Sequence, residues 1–341
     1  TAVTTTEGES LRWPDLAARV SALARVLHRA GAGPGARVAW LGFNAVAAME
    51  CYFAPARIGA LSVPLNFRLS MGELRAVAED CRPRVLICDP DHLEMAQALR
   101  AACPFIETLL VTGTARPPEG CISYEAALAD PGPEIDFDAL ASRDNDPVIL
   151  FYTSGTTGLP KGVMLSHANL FANAMGTALH LGLPGLSTHF VTGPLFHAAA
   201  GARIFAAPLM GNHVVLIPRF DIPVMLAAIE RLRVELLQFV PTMMTMLLDH
   251  PAFGRHDLSS LRDLTYGAAP MQVALLRRAL AAFPGARFSQ AFGMTEASPI
   301  VTVLTAEEHV TEGPGVARLA SVGRAVSYVD LRILDPDGRP L

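Results

Sequence analysis

Apolar positions near the start of the chain recur first at helical and then at strand spacing. Leu16, Val20, Leu23 and Leu27 are three or four residues apart, which predicts an amphipathic helix, and the glycine-rich segment 31–35 ends it. Short apolar runs that predict strands follow at 38–41, 85–88 and 109–111. This alternation predicts an α/β protein in which helices cover both faces of parallel sheets.

Polar residues mark where further elements begin. Asn44 follows the first of these strands and is predicted to cap a second helix, while Ser70 and Glu73 have the spacing of a capping box. The proline-rich and acidic segment 114–146 is interpreted as a connection into a second sheet. Alternating residues at 329–334, which a turn-forming Asp-Pro-Asp-Gly sequence follows, predict a late strand.

Composition restricts the class of protein. The 341 residues are 51% hydrophobic, which suffices for a large core and more than one structural unit. The net charge of −5, the lack of a basic run and the lack of zinc-module spacing argue against a nucleic acid partner. The cysteine count of 5 is odd, with no close pair, so reduced thiols are expected rather than a disulfide framework.

The same composition predicts a cytoplasmic protein. The first nine residues are polar and acidic, unlike a signal peptide. Segment 162–202 contains no Asp, Glu, Lys or Arg, but prolines, glycines and histidines interrupt it, so no integral membrane span is expected. We interpret this segment as buried strands and the wall of an apolar pocket, with peripheral membrane contact as the alternative.

A glycine-rich segment at 152–162 carries the first candidate chemistry. Apolar runs at 148–152 and 163–165 predict strands on both sides of it. Glycine backbone, hydroxyls and a lysine suit a triphosphate, and the candidate ligands are Thr153, Ser154, Gly155, Thr156, Thr157, Gly158 and Lys161. Because the spacing differs from Gly-x-x-x-x-Gly-Lys-Ser/Thr opening a helix, a kinase or GTPase is disfavoured.

Three more motifs follow in order. They are Pro-Leu-Phe-His-Ala-Ala-Ala-Gly at 194–201, Gly-Ala-Ala-Pro-Met at 267–271 and Gln-Ala-Phe-Gly-Met-Thr-Glu-Ala-Ser-Pro at 290–299. With the glycine-rich segment, they make the chain resemble the adenylate-forming (AMP-binding) superfamily, in particular acyl-CoA synthetases of the fatty-acid–CoA ligase type. The resemblance covers nearly the whole chain.

The resemblance implies a domain organisation. It predicts two flavodoxin-like parallel-sheet subdomains, at 1–146 and 147–320, in one large N-terminal domain, and the start of a small β-barrel subdomain at 321–341. Members of the superfamily continue into a mobile C-terminal domain. We therefore expect this chain to be part of a longer enzyme and to have impaired turnover by itself.

The resemblance also implies a reaction. ATP and Mg²⁺ would activate a carboxylic acid, either a medium- or long-chain fatty acid or an aryl acid, to an acyl-adenylate with release of pyrophosphate. Coenzyme A would then accept the acyl group. Two alternatives stay open, namely a nucleotide- and acyl-binding module with little turnover and an adenylation domain that serves a carrier protein; a γ-phosphoryl-transferring kinase is a distant third. An oligomer is compatible with the sequence.

The superfamily motifs assign roles residue by residue. The catalytic set is His197, Thr295, Glu296 and Lys161, with Glu296 also holding Mg²⁺. The adenine set is Gly267, Ala268, Ala269, Pro270, Gln290, Phe292 and Gly293. The acyl set is His197, Ala198, Gly201, Ala202, Val240, Thr242, Gly267 and Met294.

Two residues near the second motif bear on the substrate. Amino-acid-activating relatives have Phe-Asp where this chain has Phe196-His197, and no acidic residue lies between Lys161 and Asp221, so an α-amino substrate is disfavoured. Arg203 has two interpretations: it meets a polar substrate tail or, the favoured one, it forms a salt bridge on a helix surface.

Overall fold

The computed structural model describes residues 1–140, 142–153 and 160–341. Its strands are β1 (Val3–Thr5), β2 (Ser10–Leu11), β3 (Arg37–Leu41), β4 (Leu61–Pro64), β5 (Val85–Cys88), β6 (Thr108–Val111), β7 (Ile122–Ser123), β8 (Pro147–Thr153), β9 (Lys161–Ser166), β10 (Thr188–Val191), β11 (His213–Leu216), β12 (Leu236–Phe239), β13 (Asp263–Gly267), β14 (Arg287–Gly293), β15 (Ile300–Leu304) and β16 (Arg324–Ala325). Its α-helices are α1 (Trp13–Arg29), α2 (Val46–Phe53), α3 (Met71–Cys81), α4 (Leu93–Ala102), α5 (Tyr124–Ala129), α6 (His167–His180), α7 (Ala198–Ile204), α8 (Ala206–Met210), α9 (Ile222–Leu232), α10 (Pro241–Leu248) and α11 (Val273–Ala282).

The strands form two sheets whose central strands are parallel. The first sheet has the order β7-β6-β5-β3-β4-β8-β9, and the antiparallel strand β9 forms one edge. The second sheet has the order β16-β15-β14-β13-β12-β10-β11-β1-β2, in which β10 to β14 and β1 with β11 pair in parallel. This arrangement confirms the predicted α/β class.

Helices pack on both faces of the sheets. The largest core cluster joins residues of both sheets to α1, α2 and α7, so these helices lie between the sheets. On the outer faces, α3 and α4 cover the first sheet, and α9 to α11 cover the second. Burial of the strands on both faces explains why they read as continuous apolar runs in the sequence.

The sheets divide the chain differently from the predicted boundary between residues 146 and 147. Strands β8 and β9 belong to the first sheet, because β8 pairs with β4. Strand β1, at the start of the chain, belongs to the second sheet, where Val3 lies opposite Val214 of β11. Both pairings join segments that are distant in sequence, and no local pattern indicates them.

Elements that depend on neighbouring residues were predicted correctly. Helix α1, the strand runs near 38–41, 85–88 and 109–111, and the strands around the glycine-rich segment all form. Ser70 caps α3 in the expected way: its amide donates to the Glu73 carboxylate at 2.8 Å, and the Glu73 amide donates to the Ser70 hydroxyl at 3.4 Å.

Asn44 does not cap α2, contrary to the prediction. The cap residue is Ala45, without a side-chain hydrogen bond. The buried Asn44 side chain instead donates to the Gly193 carbonyl at 2.9 Å and accepts from the Leu195 amide at 2.9 Å. Tyr52 of α2 adds a hydrogen bond from its hydroxyl to the Leu195 carbonyl. Two side chains that follow β3 therefore hold the loop that follows β10 in the other sheet.

The predicted strand at 329–334 does not form. Leu331 and Ile333 are exposed, and only Val329, at the start of the alternating pattern, packs against the buried cluster that contains Leu181 and Val326. The turn after it is confirmed, since the Gly338 amide donates to the Asp335 carbonyl at 3.0 Å. Leu334 contributes only an isolated bridge to Pro340.

Two compositional expectations bear on the described structure. Across residues 1–140, 142–153 and 160–341, no helix is both long and apolar enough to cross a membrane. The 5 cysteines are free thiols, 4 of them buried, as expected for reduced cysteines. Burial raises the pKa of Cys81 and of Cys88 to about 12, which keeps both thiols protonated.

Close approach of two strands fixes a glycine at the end of β13. Gly267 lies opposite Ala291 of β14, and a Cβ at Gly267 would overlap the Ala291 carbonyl oxygen. Gly293, at the end of β14, has the same relation to the Pro299 carbonyl oxygen. Only glycine allows the backbone to be so close at these positions.

The Asn44 contacts predict a loss of stability on truncation. Asn44→Ala removes both hydrogen bonds and leaves the part-buried Gly193 carbonyl and the buried Leu195 amide unpaired. We expect the free energy of unfolding, measured by denaturant titration, to fall by about 2–4 kcal/mol. The exposed Asn145 is the matched control, and Asn145→Ala should stay within about 0.5 kcal/mol of the wild type. Equal stability of the two variants would contradict the role assigned to Asn44.

The contact of Gly267 with β14 predicts a second stability difference. Gly267→Ala forces two strands apart and should cost about 1–3 kcal/mol in thermal or chemical unfolding. Gly285 is the control, because an added Cβ meets nothing within 4 Å and its φ is not left-handed. Gly285→Ala should leave stability unchanged or slightly raised. A Gly267→Ala variant as stable as the control would disprove the strand contact.

Candidate active site

A cavity of about 590 Å³ lies at the carboxyl ends of neighbouring parallel strands of the second sheet. Its walls include the residues after β10, β12, β13 and β14, and Arg68 reaches it from the segment after β4 of the first sheet. Ligands of open α/β sheets bind at this edge, because loops from several strands meet there.

The cavity lies where the strand order reverses. From β10 the chain passes to β11 on one side and then to β12 on the other, so the loops after β10 and β12 diverge and leave a crevice. Thr192 after β10 and Thr242 in α10 line this crevice. The Thr192 hydroxyl donates to the Gln238 carbonyl at 2.5 Å and joins the two strand ends.

Helix α7 lines the cavity with most of its residues. Ala198, Ala199, Ala200, Ala202 and Arg203 all border it, so Gly201 is the one position between 198 and 203 that does not. The alanines leave space beside the helix. Gly201 faces the opposite side, where a Cβ would meet the Leu195 carbonyl and the Tyr52 hydroxyl, so the structure does not bring it to the cavity as the acyl assignment expected.

His197 stands at the amino end of α7, in extended backbone conformation, and its accessible side chain borders the cavity. Desolvation lowers its pKa below the usual value, and the positive charge of Arg68 lowers it further. The imidazole is therefore neutral at pH 7. Its ring lies 4.5 Å from that of the buried Phe196, which packs edge-on against Phe67 at 5.2 Å.

Residues of the motifs at 267–271 and 290–299 form another part of the cavity wall. Gly267 and Ala268 after β13, and Phe292 with Thr295 after β14, all line the cavity. Ala268 has a left-handed backbone with φ of 61°, which is a strained conformation for a residue with a side chain. The half-exposed Phe292 ring offers an apolar face to a ligand.

Glu296 lies beside the cavity in the short helix Thr295–Ala297, and its side chain is exposed. Within the described residues, its carboxylate has no hydrogen bond or ion pair, and no cluster of three or more His, Cys, Asp or Glu residues could hold a metal by itself. One uncommitted carboxylate next to a threonine hydroxyl fits Mg²⁺, which usually combines one or two carboxylates with phosphate and water ligands.

The glycine-rich segment is described only at its ends. Thr153 at the end of β8 lies opposite Lys161 at the start of β9, and Lys161 is exposed. The predicted phosphate ligands Ser154, Gly155, Thr156, Thr157 and Gly158 lie outside the described residues. The segment joins two antiparallel strands, as its flanking apolar runs predicted.

The cavity unites most residues of the predicted adenine and acyl sets. Those that line it are His197, Ala198, Ala202, Val240, Thr242, Gly267, Ala268, Phe292, Gly293 and Met294, and Thr295 of the predicted catalytic set lines it as well. Gln290 is buried within β14 instead, and Ala269 and Pro270 are exposed just beyond Ala268. None of these three residues belongs to the described lining of the cavity. The same holds for Thr153 and Lys161.

Sequence reasoning missed several lining residues. They include Arg68, Asn173, Thr192, Gln238, Met243 and Ile300. Thr192 and Arg68 follow strand ends, which is a signal that strand prediction could have used. Asn173 comes from α6 and carries no motif; its side-chain oxygen accepts from the Ile300 amide at 3.2 Å.

Arg203 is not the surface salt-bridge residue that the sequence favoured. It is 5% exposed, and its Nη1 atom is buried without a hydrogen-bond partner among the described residues. The prediction failed because α7 lies between the two sheets, so that its last turn is buried on all sides.

Comparison with known proteins places this geometry in a family. The family of AMP-binding enzymes matches residues 1–341. The chain is 40% identical over 335 residues to a feruloyl-CoA synthase of an Amycolatopsis species, which covers 98% of this chain and 63% of that protein. It is 36% identical over 330 residues to an indoleacetate–CoA ligase of Aromatoleum aromaticum. That match covers 96% of this chain and 62% of the ligase.

A solved structure agrees with these relatives. The anthranilate CoA ligase AuaEII in complex with anthranoyl-AMP matches with a TM-score of 0.87 at 26% identity, over 100% of this chain and 64% of that chain. The chain thus spans less than two thirds of the length of these three proteins. The ordered motifs lie around the cavity at the carboxyl ends of the second sheet, and the family match covers residues 1–341. We conclude that the chain belongs to the AMP-binding enzymes.

Proposed function

We propose that the protein is an acid–thiol ligase that activates an aryl carboxylic acid with ATP and transfers the acyl group to coenzyme A. The observation that carries the proposal is the convergence of three sequence-distant motifs, at 194–201, 267–271 and 290–299, on one cavity. Family membership supports the reaction class.

The first step is an in-line displacement at phosphorus. A carboxylate oxygen of the acid forms a bond to the α-phosphorus of ATP, while the bond from that phosphorus to the bridging oxygen breaks and pyrophosphate leaves. The protein must hold the two reactants in line and stabilise charge on the phosphate oxygens. No proton transfer is required for this step.

Residues at the cavity wall suit these tasks. The neutral His197 imidazole donates one hydrogen bond to an oxygen of the acid or of the α-phosphate, and the Thr295 hydroxyl donates another. Arg68 adds positive charge at the same edge. Gly267 and Ala268 provide a flat backbone surface for adenine, and Phe292 stacks against it.

Glu296 and the glycine-rich segment would serve the triphosphate. Glu296 would hold Mg²⁺, which when bound neutralises charge on the phosphate oxygens. Lys161, together with Thr153 and the residues 154–158, would hold the β- and γ-phosphates. The exposed position of Lys161 at the start of β9 leaves its ammonium group accessible to a nucleotide.

The cavity lining favours an aryl acid over an amino acid. Its described residues include two arginines and no aspartate or glutamate, so a substrate ammonium group would find no counter-charge. Ala198, Ala199 and Ala202 leave a smooth apolar wall for a ring. The names of the three similar proteins refer to feruloyl, indoleacetate and anthranilate groups, all of them aromatic acids.

The test is pyrophosphate exchange into ATP by the full-length protein in the presence of aryl, fatty and amino acids. We expect exchange with aryl acids. His197→Ala should lower kcat/KM for exchange by about 100-fold or more, because a hydrogen bond in the reacting complex is lost. His28→Ala, at an exposed helix end, is the control and should leave the rate unchanged.

Two results would decide against the proposal. Binding of ATP without exchange for every acid would favour a nucleotide-binding module. Exchange driven by amino acids in preference to aryl acids would overturn the assignment of the cavity.

A second measurement identifies the acceptor of the acyl group. Formation of a thioester with coenzyme A, rather than with a carrier protein, would support coenzyme A as the acceptor.

A further inference from the structure

A buried positive charge without a partner lies in the wall of the cavity. Arg203 is 5% exposed, yet its side chain forms part of the lining. Among the residues that the structure describes, none forms a salt bridge or a side-chain hydrogen bond with it, and Nη1 is both buried and unsatisfied. Natural proteins rarely leave a buried guanidinium in this state, because an unpaired buried charge is strongly unfavourable.

The surroundings of Arg203 do not compensate this charge. Burial alone lowers the pKa of the guanidinium to about 10, so it is still protonated at pH 7. His189 of β10 is also buried and has an unsatisfied Nε2 atom. Burial and the charge of Arg203 lower the pKa of His189 to about 3, which keeps the imidazole neutral. A neutral neighbour supplies no counter-charge.

The polar side chains of α6 and β12 that line the cavity form hydrogen bonds with backbone groups and not with Arg203. Asn173 accepts a hydrogen bond from the Ile300 amide at 3.2 Å, and Gln238 donates one to the Ala199 carbonyl at 3.1 Å. Arg203 is therefore a donor at the cavity wall whose hydrogen-bonding capacity the described residues leave unused. A ligand oxygen is the partner that this geometry lacks.

The position of Arg203 on α7 separates it from the reacting end of a substrate. It lies six residues beyond His197, which corresponds to about 9 Å along a helix axis. Four alanines of α7 line the cavity together with Arg203. An acid whose carboxylate lies at His197 would run along this alanine surface and place its distal end near the guanidinium.

We propose that Arg203 is a specificity-determining residue that binds an oxygen atom at the distal end of the acid. The preferred substrate is then a ring-bearing carboxylic acid with a hydrogen-bond acceptor remote from the reacting carboxylate: a hydroxyl, an ether or carbonyl oxygen, or a second carboxylate. This inference rests on the proposed function for the position of the reacting carboxylate.

The test compares three acids in the full-length protein: 3-phenylpropenoic acid and its ring-4-hydroxy and ring-4-carboxy derivatives. The measured quantity is kcat/KM for pyrophosphate exchange, expressed as the ratio of each oxygenated acid to the unsubstituted one. We expect wild-type ratios of roughly 10 to 100, because a hydrogen bond to a charged donor contributes that much discrimination. A higher ratio for the carboxy acid identifies an anionic acceptor, and a higher ratio for the hydroxy acid identifies a neutral one.

Substitutions assign this preference to Arg203. Arg203→Met should reduce the favoured ratio to near 1, and Arg203→Lys should restore part of it for the carboxy acid only, since lysine keeps the charge but loses the planar donor group. The matched control is Arg277→Met on the exposed side of α11, which should keep the wild-type ratios. The melting temperature of Arg203→Met should be unchanged or higher, because an unpaired buried charge is removed.

Three outcomes would overturn the inference. Wild-type ratios near 1 for both oxygenated acids would show that the cavity does not recognise a distal oxygen. Unchanged ratios in Arg203→Met would assign the recognition elsewhere. A fall in the melting temperature of Arg203→Met with unchanged ratios would identify a structural role. If Arg203→Met does not fold, the wild-type ratios and those of Arg203→Lys decide.

Calorimetric binding separates this inference from the proposed function. If no acid supports exchange, the proposed reaction fails, but the affinities of the three acids for the wild type and for Arg203→Met still report on Arg203. Tighter binding of an oxygenated acid that is lost in Arg203→Met supports the inference without turnover. Equal affinities of all three acids for the wild type contradict it.

Discussion

The hydrogen bonds between Asn44 and the backbone of Gly193 and Leu195 are the constraint on which the site depends. They join the end of β3 in the first sheet to the loop after β10 in the second, and Tyr52 reinforces them from α2. The loop then leads directly into His197 and α7. If this connection moved, the imidazole and the alanine wall would move with it, so the two sheets act as one support for the cavity.

The charges around the cavity favour an anionic ligand. Arg68 and Arg203 lie in its wall, no described lining residue is acidic, and His197 stays neutral because burial and Arg68 lower its pKa. Positive charge near the reacting end suits phosphate and carboxylate oxygens. Positive charge at the far end of α7 is a separate feature, because Arg203 has no partner within the described protein. The same cavity therefore combines the proposed site for reaction with a candidate site for selection.

The sequence predicted what depends on neighbouring residues and failed where distant segments meet. Ser70 and Glu73 formed their capping box because that motif is complete within four residues. Asn44 has the same type of local signal, but its partners lie about 150 residues away. Its hydrogen bonds to Gly193 and Leu195 could therefore not be inferred from spacing. Val3 opposite Val214 in the second sheet is a further non-local pairing. Arg203 was predicted to lie on the surface, because helical periodicity does not show that α7 is placed between two sheets. In the structure this placement buries the helix on all sides.

We propose that one cavity, between α7 and the ends of β13 and β14, holds both the nucleotide and the acid. A crystal structure of the full-length protein with a stable acyl-adenylate analogue carrying a ring-4-hydroxy aryl group tests this most directly. We expect adenine against Gly267 and Ala268, the phosphate substitute between His197 and Thr295, and the distal oxygen within hydrogen-bonding distance of Arg203. Binding of the analogue elsewhere, such as in the second cavity of about 470 Å³ lined by Phe53, Phe171 and Phe205, would contradict it.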